Sequence, residues 1–280
     1  MLKTADLHLH TRFSDGTFTP EELATRARAH GLAAVALTDH DTVEGCERMA
    51  AACTANEVEF IPGTELTANH KGIELHILGY FVDTCSAPFL AQLSHFQSER
   101  HHRIQEMVTR LNDRGVALKV DTVLKIANCQ SPGRPHLARA LVQEGYCSDF
   151  NEAFDRFLKK GRPAWVPKAR MDSMTAISMI HCAGGVAVLA HPGLYRSDNL
   201  IPKLAEEGLD GLECWHTKHS NAASETYSKT AEELGLVATG GSDCHGDAKG
   251  HPLIGTLRIP YSQVSQLKER QKKHAPDSGL

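Results

Sequence analysis

Short apolar runs alternate with amphipathic helical patterns along the first 86 residues. The runs predict strands at 4–10, 33–38, 57–62 and 72–82, and a helix is predicted over 43–55. Thr19-Pro20-Glu21-Glu22 predicts the start of another helix, because threonine is a favourable N-cap, proline fits the first turn and acids suit this end. Strands that alternate with helices are typical of a parallel sheet or a barrel.

The same alternation returns in the second half of the chain. It predicts helices at 173–183, 200–207 and 221–234, and strands at 186–190, 211–214 and 236–239. The polar tail after Gln263 predicts a frayed end. The two halves are therefore expected to build one sheet together.

The composition changes between these halves, where long polar-faced helical patterns replace the strands. Helices are predicted at 89–114, 136–144 and 150–159. We predict a barrel domain made of residues 1–86 and 168–280, with residues 87–167 as a helical insertion that caps the carboxyl ends of the strands.

Composition and charge restrict the class of protein. A chain of 280 residues with 41% hydrophobic and 23% charged residues is ordinary for a globular protein. A net charge of -4 argues against a surface built for long nucleic acid, although a pocket for a small phosphorylated substrate needs only local positive charge. No apolar run reaches the ~18 residues of a membrane helix, and the N-terminus has no signal-peptide pattern. The eight cysteines form no Cys-x-x-Cys pair, which favours free thiols in the cytoplasm.

Histidines and acids gather where the predicted strands end, and histidine is abundant, with 17 copies. Active sites of barrels and open parallel sheets form at the carboxyl ends of strands. One histidine at a strand end is more often structural, but six such ends are hard to explain in that way. The candidate residues are His8, His10, Asp15, His40, Glu65, His76, His191, Asp243 and His245.

The chemistry of this set predicts bound metal ions. Burying many imidazoles and carboxylates together is costly unless a cation neutralises them. Nitrogen and oxygen ligands without an obligatory thiolate suit manganese, iron or zinc. Two positions apart on a strand, His8 and His10 point to the same side and can share one ion, whereas Cys244 should point away. Glu65 and Asp243 could each bridge neighbouring ions.

The motifs DLHLHTRFSDG, LTDHDT, IPGTE, ELHILGY, AHPG and GSDCH, in this order, resemble those of the PHP (polymerase and histidinol phosphatase) family of metal-dependent phosphoesterases. SPGRPHLARALV and KKGRPAWVP in the insertion resemble the subgroup that acts as 3′,5′-nucleoside bisphosphate phosphatase and as 5′–3′ exoribonuclease on short RNA. The resemblance implies an α/β fold, a distorted (β/α)7 barrel with a trinuclear site.

The resemblance also implies which residues hold the ions. His8, His10, Glu65 and Asp243 would hold the first; Glu65 would bridge to a second, held with His76 and His191; the third would be held by Asp15, His40 and His245. Two to three divalent ions are expected, with manganese favoured and zinc or iron as alternatives. A hydroxide that bridges the ions would attack the phosphorus, with Asp15 and His40 at the catalytic centre.

Substrate contacts are predicted outside the ligand set. Arg134 is the first candidate, because a guanidinium binds phosphate through two hydrogen bonds. Ser131 could assist, and His136 could contact the substrate or cap its helix. His219 is a candidate phosphate contact or general acid. A basic run, Lys159, Lys160 and Arg162, could guide an RNA backbone.

Two other functions remain open from the sequence. One is a phosphatase for a small metabolite such as histidinol phosphate, against which the insertion argues. The other is a non-catalytic, metal-stabilised nucleic-acid-binding module, against which the complete ligand set argues. The expected partner is a phosphorylated nucleotide or short RNA, with no membrane and no stable protein partner.

Overall fold

The computed structural model describes residues 3–168, 171–195, 197, 199–249 and 251–274, with only the backbone of 248 and 249. Within these ranges one sheet has the strand order β7-β6-β5-β4-β3-β2-β1-β8. Its strands are β1 (Thr4–Asp6), β2 (Ala34–Leu37), β3 (Glu59–His70), β4 (Ile73–Tyr80), β5 (Val186–Leu189), β6 (Gly211–His216), β7 (Val237–Gly241) and β8 (Ile259–Pro260).

The sheet curls until its first and seventh strands meet. The Leu7 N–H donates to the carbonyl of Gly240 at 3.2 Å, and Leu9 forms a parallel bridge with Cys244. Leu7 and Leu9 are fully buried, so the apolar side of this segment faces the core. The predicted α/β barrel is thereby confirmed.

Helices cover the barrel and build the region between β4 and β5. In the described ranges they are α1 (Pro20–Ala29), α2 (Cys46–Ala55), α3 (Ala87–Asn112), α4 (Val120–Ala127), α5 (Arg134–Gln143), α6 (Phe150–Ala153), α7 (Ser173–Cys182), α8 (Leu200–Glu206), α9 (Asn221–Glu233) and α10 (Tyr261–Gln271). A π-helical turn, Phe154–Leu158, continues α6. The predicted cap of α1 is confirmed, because Glu22 N–H donates to the Thr19 hydroxyl and Thr19 N–H donates to the Glu22 carboxylate.

The structure corrects three local predictions. The third strand continues to His70 and forms an antiparallel hairpin with β4, which also pairs antiparallel with β5, so the sheet is mixed. The first regular strand ends at Asp6, and the chain beyond it stays extended by bonding to β7. Residues 264–271 are helical in α10, because Val264 and Leu267 are buried, whereas residues 275–280 of the predicted frayed end lie outside the described residues.

The helices between β4 and β5 have an apolar cluster of their own. It contains Ile104, Leu137, Leu158 and Val166 and lies wholly within residues 104–166. The division of the chain into a barrel domain, 1–86 and 168–280, and an insertion, 87–167, stays a prediction. This cluster gives the predicted insertion an apolar core that does not depend on the barrel interior.

Candidate metal centre

Glu65 lies at the centre of the site, in the middle of β3 rather than in a loop after it. Its side chain is 1% exposed. Histidine ring nitrogens surround its carboxylate at 2.7 to 3.3 Å, from His8, His10, His40, His76 and His191. These histidines come from four segments of the chain besides β3, so the barrel itself assembles the cluster.

Strand alternation explains how these rings reach one side. His8 and His10 flank Leu9, whose side chain is in the apolar core. In β4, Leu75 and Ile77 are buried in the core, and His76 between them faces the opposite side. A period of two along an extended chain separates ligand from core side chains in both places.

Acids from two loops complete the cluster. The Asp15 carboxylate lies 3.1 Å from His245 Nε2, and it lies 3.9 Å from His10 Nδ1 and 4.0 Å from His40 Nε2. Asp243 Oδ1 lies 3.3 Å from His10 Nε2 and 3.6 Å from His8 Nε2. All nine residues predicted from the sequence are therefore brought together.

Four overlapping sets within the cluster have ligand atoms close enough to hold an ion. They are His10, Asp15, His40 and His245; His8, His10 and Asp243; His8, Glu65 and His191; and His40, Glu65 and His76. The grouping differs in detail from the one that the resemblance implied, since His10 and His40 each belong to two sets. The assignment of ligands to individual ions stays a prediction.

The buried polar atoms fit bound cations. Among the residues that the structure describes, five buried side-chain atoms of the cluster have no directed hydrogen-bond partner: His8 Nε2, both ring nitrogens of His10, His40 Nδ1 and Asp15 Oδ1. Buried polar atoms are normally satisfied, and such a group of convergent ones calls for an ion or water. Their nitrogen and oxygen donors suit a divalent transition metal.

The protonation states also favour cations. Burial alone would raise the pKa values of Glu65 and Asp15, but the surrounding histidines hold them well below the usual range. Burial lowers the pKa of His40 well below its usual value, which favours the neutral imidazole that ligates metals. Burial also opposes charge on His10, yet the neighbouring carboxylates of Asp243 and Glu65 raise its pKa to about 9. A metal ion must therefore displace a proton there.

Side chains missed by the sequence reasoning orient the ligands. The fully buried Glu213 accepts a hydrogen bond from His8 Nδ1–H at 2.9 Å and another from the backbone N–H of His191 at 2.7 Å. The Tyr195 hydroxyl lies 3.0 Å from His191 Nδ1 and accepts from the His76 N–H at 2.9 Å. Hydrogen bonds from outer partners fix the orientation and tautomer of ligating histidines. The sequence feature that could have identified Glu213 is the presence of an acid within the otherwise apolar strand GLECWH.

Backbone geometry is also specialised at the cluster. A Cβ on Gly241 would lie 2.3 Å from the Cβ of His8, so only glycine allows β7 to approach this closely. His191 and Asp243 have φ values of 29° and 53°, a region that is unfavourable for residues other than glycine and typical of functional sites.

A cavity of about 450 Å³ opens onto the cluster and has a lining of two chemical kinds. Histidines and carboxylates form one part of the lining, where Asp15, Glu65 and Asp243 carry the negative charge. Cationic and aromatic side chains from the helical region line the rest: Arg100, Arg103, Arg134, Lys159, Lys168, Phe150 and Phe154. The arrangement suits an anion that extends away from the metal ligands.

The predicted substrate contacts occupy different positions relative to this cavity. Ser131 and Arg134 line it, and the buried Ser131 hydroxyl has no hydrogen-bond partner in the described part of the chain. His136 is 1% exposed, and its Nδ1 accepts a hydrogen bond from the Gly133 N–H at 3.0 Å, which is the capping alternative. Burial lowers the pKa of His136 to about 4.

Both ring nitrogens of His219 are engaged within the protein. Nδ1–H donates to the carbonyl of Cys214 at 3.0 Å, and Nε2 accepts from the Gly193 N–H at 3.2 Å. Its predicted role as phosphate contact or general acid stays a prediction, and it requires the Gly193 bond to break.

Comparison with known proteins agrees with this geometry. The model of the PHP domain matches residues 6–162. A 5′–3′ exoribonuclease of Haemophilus influenzae is 34% identical over 250 residues, which are 88% of this chain and 91% of that protein. The chain belongs to the PHP family.

Two further PHP relatives cover nearly the whole chain. A 3′,5′-nucleoside bisphosphate phosphatase of Chromobacterium violaceum is 33% identical over 258 residues, 89% of this chain and 90% of that one. A crystal structure described as a metal-dependent phosphoesterase of Bifidobacterium adolescentis superposes with a TM-score of 0.89 at 31% identity, covering 98% of this chain and 97% of that one. This PHP protein is a metal-dependent hydrolase of phosphoric ester bonds.

No described helix is both long enough and apolar enough to cross a bilayer. The predicted free thiols are confirmed, since none of the eight cysteines is paired, and five of them are buried.

Proposed function

We propose that the protein hydrolyses the 3′-phosphate of 3′,5′-nucleoside bisphosphates, such as adenosine 3′,5′-bisphosphate, and acts on the 5′-phosphorylated ends of short RNA, with Mn²⁺ as its native metal. The observation that carries the proposal is the lining of one cavity, in which metal ligands are joined by several cationic side chains outside the ligand set. A substrate with two phosphates can engage both kinds of side chain, whereas a metabolite with one phosphate leaves most of the cations unused.

The chain's own groups have separate tasks in this reaction. Bound divalent ions would supply a lowered pKa for water and neutralise charge on the phosphate oxygens. Asp15, His40 and His245 would hold an ion beside the cavity, since all three line its wall. Ser131, whose hydroxyl has no hydrogen-bond partner among the described residues, would donate to the second phosphate, and Arg134 would bind that phosphate through its guanidinium.

The first test is loss of turnover in folded variants. Asp15→Ala and His40→Ala should abolish phosphate release from adenosine 3′,5′-bisphosphate with Mn²⁺, while circular dichroism stays that of the wild type. Lys203→Ala, at an exposed position of α8, is the control and should keep full activity. Full activity in both site variants would overturn the assignment of these residues.

The second test concerns the substrate. A panel offers adenosine 3′,5′-bisphosphate, histidinol phosphate and a 5′-phosphorylated short RNA at equal concentration with Mn²⁺, Zn²⁺ or Fe²⁺. The bisphosphate and the RNA should be preferred, and metal analysis of the protein as purified should find manganese. Preference for histidinol phosphate would overturn the substrate assignment but leave the metal centre intact.

The third test isolates the second phosphate. Arg134→Met should raise KM for the bisphosphate by about 10- to 100-fold, the range expected for a lost hydrogen bond to a charged group. Arg114→Met, at an exposed arginine of the same helical region, is the matched control. An unchanged KM in Arg134→Met would show that the second phosphate binds elsewhere.

A further inference from the structure

A second cavity, of about 290 Å³, adjoins the one that opens onto the metal centre. Arg134 and Lys168 line both cavities. The remaining wall includes Lys160 and Trp165 from the helical region and Glu74 from the β3–β4 hairpin. A ligand that leaves the metal centre along Lys168 therefore enters this second cavity.

Lys168 connects the two spaces at the metal ligands. Its Nζ lies 3.2 Å from His76 Nε2 and 3.1 Å from the Glu74 carboxylate. The side chain is 17% exposed, so its ammonium lies against the cluster rather than in open solvent. An anion bound near His76 would be within reach of this ammonium.

The side chains of the two cavities repeat one chemical pattern. Phe150 and Phe154 line the first cavity, with ring centroids 5.0 Å apart, and the partly buried Trp165 lines the second. Cationic side chains line both cavities together with these rings. Single-stranded nucleic acid is bound by such alternation, in which aromatic rings stack on bases and cations follow the phosphates.

The two proposed substrates differ in one substituent on the reacting phosphorus. In both, a water oxygen adds to phosphorus and the P–O3′ bond breaks. One water proton goes to O3′, which leaves as a hydroxyl, and the phosphoryl group keeps the other substituents. In the bisphosphate those are oxygens only, whereas in RNA one of them is O5′ of the next nucleotide. Hydrolysis of RNA therefore needs room for one more nucleotide beside the metal centre.

We propose that the second cavity binds this next nucleotide of a single-stranded RNA, with its base stacked on Trp165 and its following phosphate near Lys160. The inference rests on the proposed function, because it places the scissile phosphate at the metal centre. Glu74 is the opposing charge in this cavity, and its pairing with Lys168 limits the attraction for the chain.

The kinetic test compares two substrates with the same first nucleotide: adenosine 3′,5′-bisphosphate and 5′-phosphorylated diadenylate. Trp165→Leu should raise KM for diadenylate by about fivefold or more, the low end for one lost stacking contact, and leave the bisphosphate within twofold. Trp165→Phe should restore most of the loss. Equal changes on both substrates, or none on diadenylate, would overturn the proposal.

The salt dependence of RNA binding is an independent test of the same site. It uses 5′-phosphorylated triadenylate, which has a phosphate after its second nucleotide. Affinity falls as the salt concentration rises. Lys160→Ala should make the slope of log affinity against log salt concentration less steep by about 0.7, the value for one phosphate contact on a single strand. Lys203→Ala is the control. Glu74→Gln should tighten binding, since it removes the carboxylate that opposes the phosphate. An unchanged slope together with unchanged binding in Glu74→Gln would count against the site.

A binding readout separates this proposal from the catalytic one. The chain has two tryptophans, so Trp165 is the single reporter in a Trp215→Phe background. Diadenylate should quench its fluorescence without added metal, and the bisphosphate should not. Quenching without turnover of either substrate would refute the proposed function but support the nucleotide site in the second cavity. Turnover of the bisphosphate without quenching by diadenylate would support the proposed function but refute that nucleotide site.

Discussion

A buried ion pair joins the longest helix to the rim of the barrel beside the metal centre. Arg100 of α3 donates from Nε to Asp41 Oδ2 at 2.7 Å, and the two side chains are 11% and 4% exposed. Asp41 follows His40 directly and also accepts a hydrogen bond from the Thr67 N–H at 2.9 Å. The pair therefore fixes the helical region to the loop that carries a predicted ligand.

We predict that Arg100→Met destabilises the protein by about 3–5 kcal/mol, the cost of leaving one partner of a buried pair without its counter-charge. The Thr67 N–H would remain as a donor to Asp41, but it carries no compensating charge. Arg28→Met is the matched control, because Arg28 lies at the same 2.7 Å from Glu57 while the two side chains are 56% and 76% exposed. This exposed pair should contribute about 0–1 kcal/mol.

Urea unfolding followed by circular dichroism measures both costs as changes in the free energy of unfolding. The double variant Asp41→Asn/Arg100→Met should lose less than the sum of its single variants, with a coupling of about 0.5–3 kcal/mol. A cost for Arg100→Met no larger than that for Arg28→Met would refute the reasoning, because the two pairs have similar shortest distances, 2.5 and 2.7 Å, and differ strongly in burial.

Three further outcomes follow from other contacts. Gly241→Ala should lower both metal content and stability, the latter by about 1–3 kcal/mol, because its methyl group would overlap His8; elemental analysis and urea unfolding check this. Tyr195→Phe should weaken metal affinity by about 10- to 100-fold in competition with a chelator, since it removes a hydrogen bond to His191. Burial alone would raise the pKa of Asp210, but hydrogen bonds from neighbouring imidazoles keep it below its usual value, so the group stabilises the fold above about pH 4. Asp210→Asn should therefore be less stable at pH 7, and the difference from wild type should shrink as the pH falls below about 4.

The barrel and the metal cluster were accessible from the sequence because both depend on local patterns. Apolar runs mark strands, and the alternation around Leu9 places His8 and His10 on one side without knowledge of the fold. The expectation that active sites form at the carboxyl ends of strands then groups the remaining ligands. This expectation placed Glu65 after the third strand, which is wrong because β3 does not end at Pro62. Nothing in the sequence near Gly63 requires the strand to stop, and the antiparallel pairing with β4 continues it to His70.

The contacts between distant segments were not accessible in this way. Arg100 looks like any charge on a polar helix face, and its burial depends on how α3 lies across the barrel rim. Lys168 follows a proline in a segment without periodicity, yet it reaches His76 across 92 positions of sequence. His274 lies in the polar C-terminal tail, yet its ring stacks on His181 and bonds to Asp210. These positions depend on packing between elements, which no local pattern encodes.

The continuous β3–β4 hairpin has a consequence for how this family can diversify. Its base carries Glu65 and His76, and its outer part carries Asn69 and Glu74 in the wall of the second cavity. At about 3.4 Å per residue, Glu65 and Asn69 are roughly 14 Å apart along one strand. Insertions or deletions at the hairpin tip can thus remodel the outer cavity while the ligands at the base keep their register. Substrate length can change over evolutionary time without rebuilding the reaction centre.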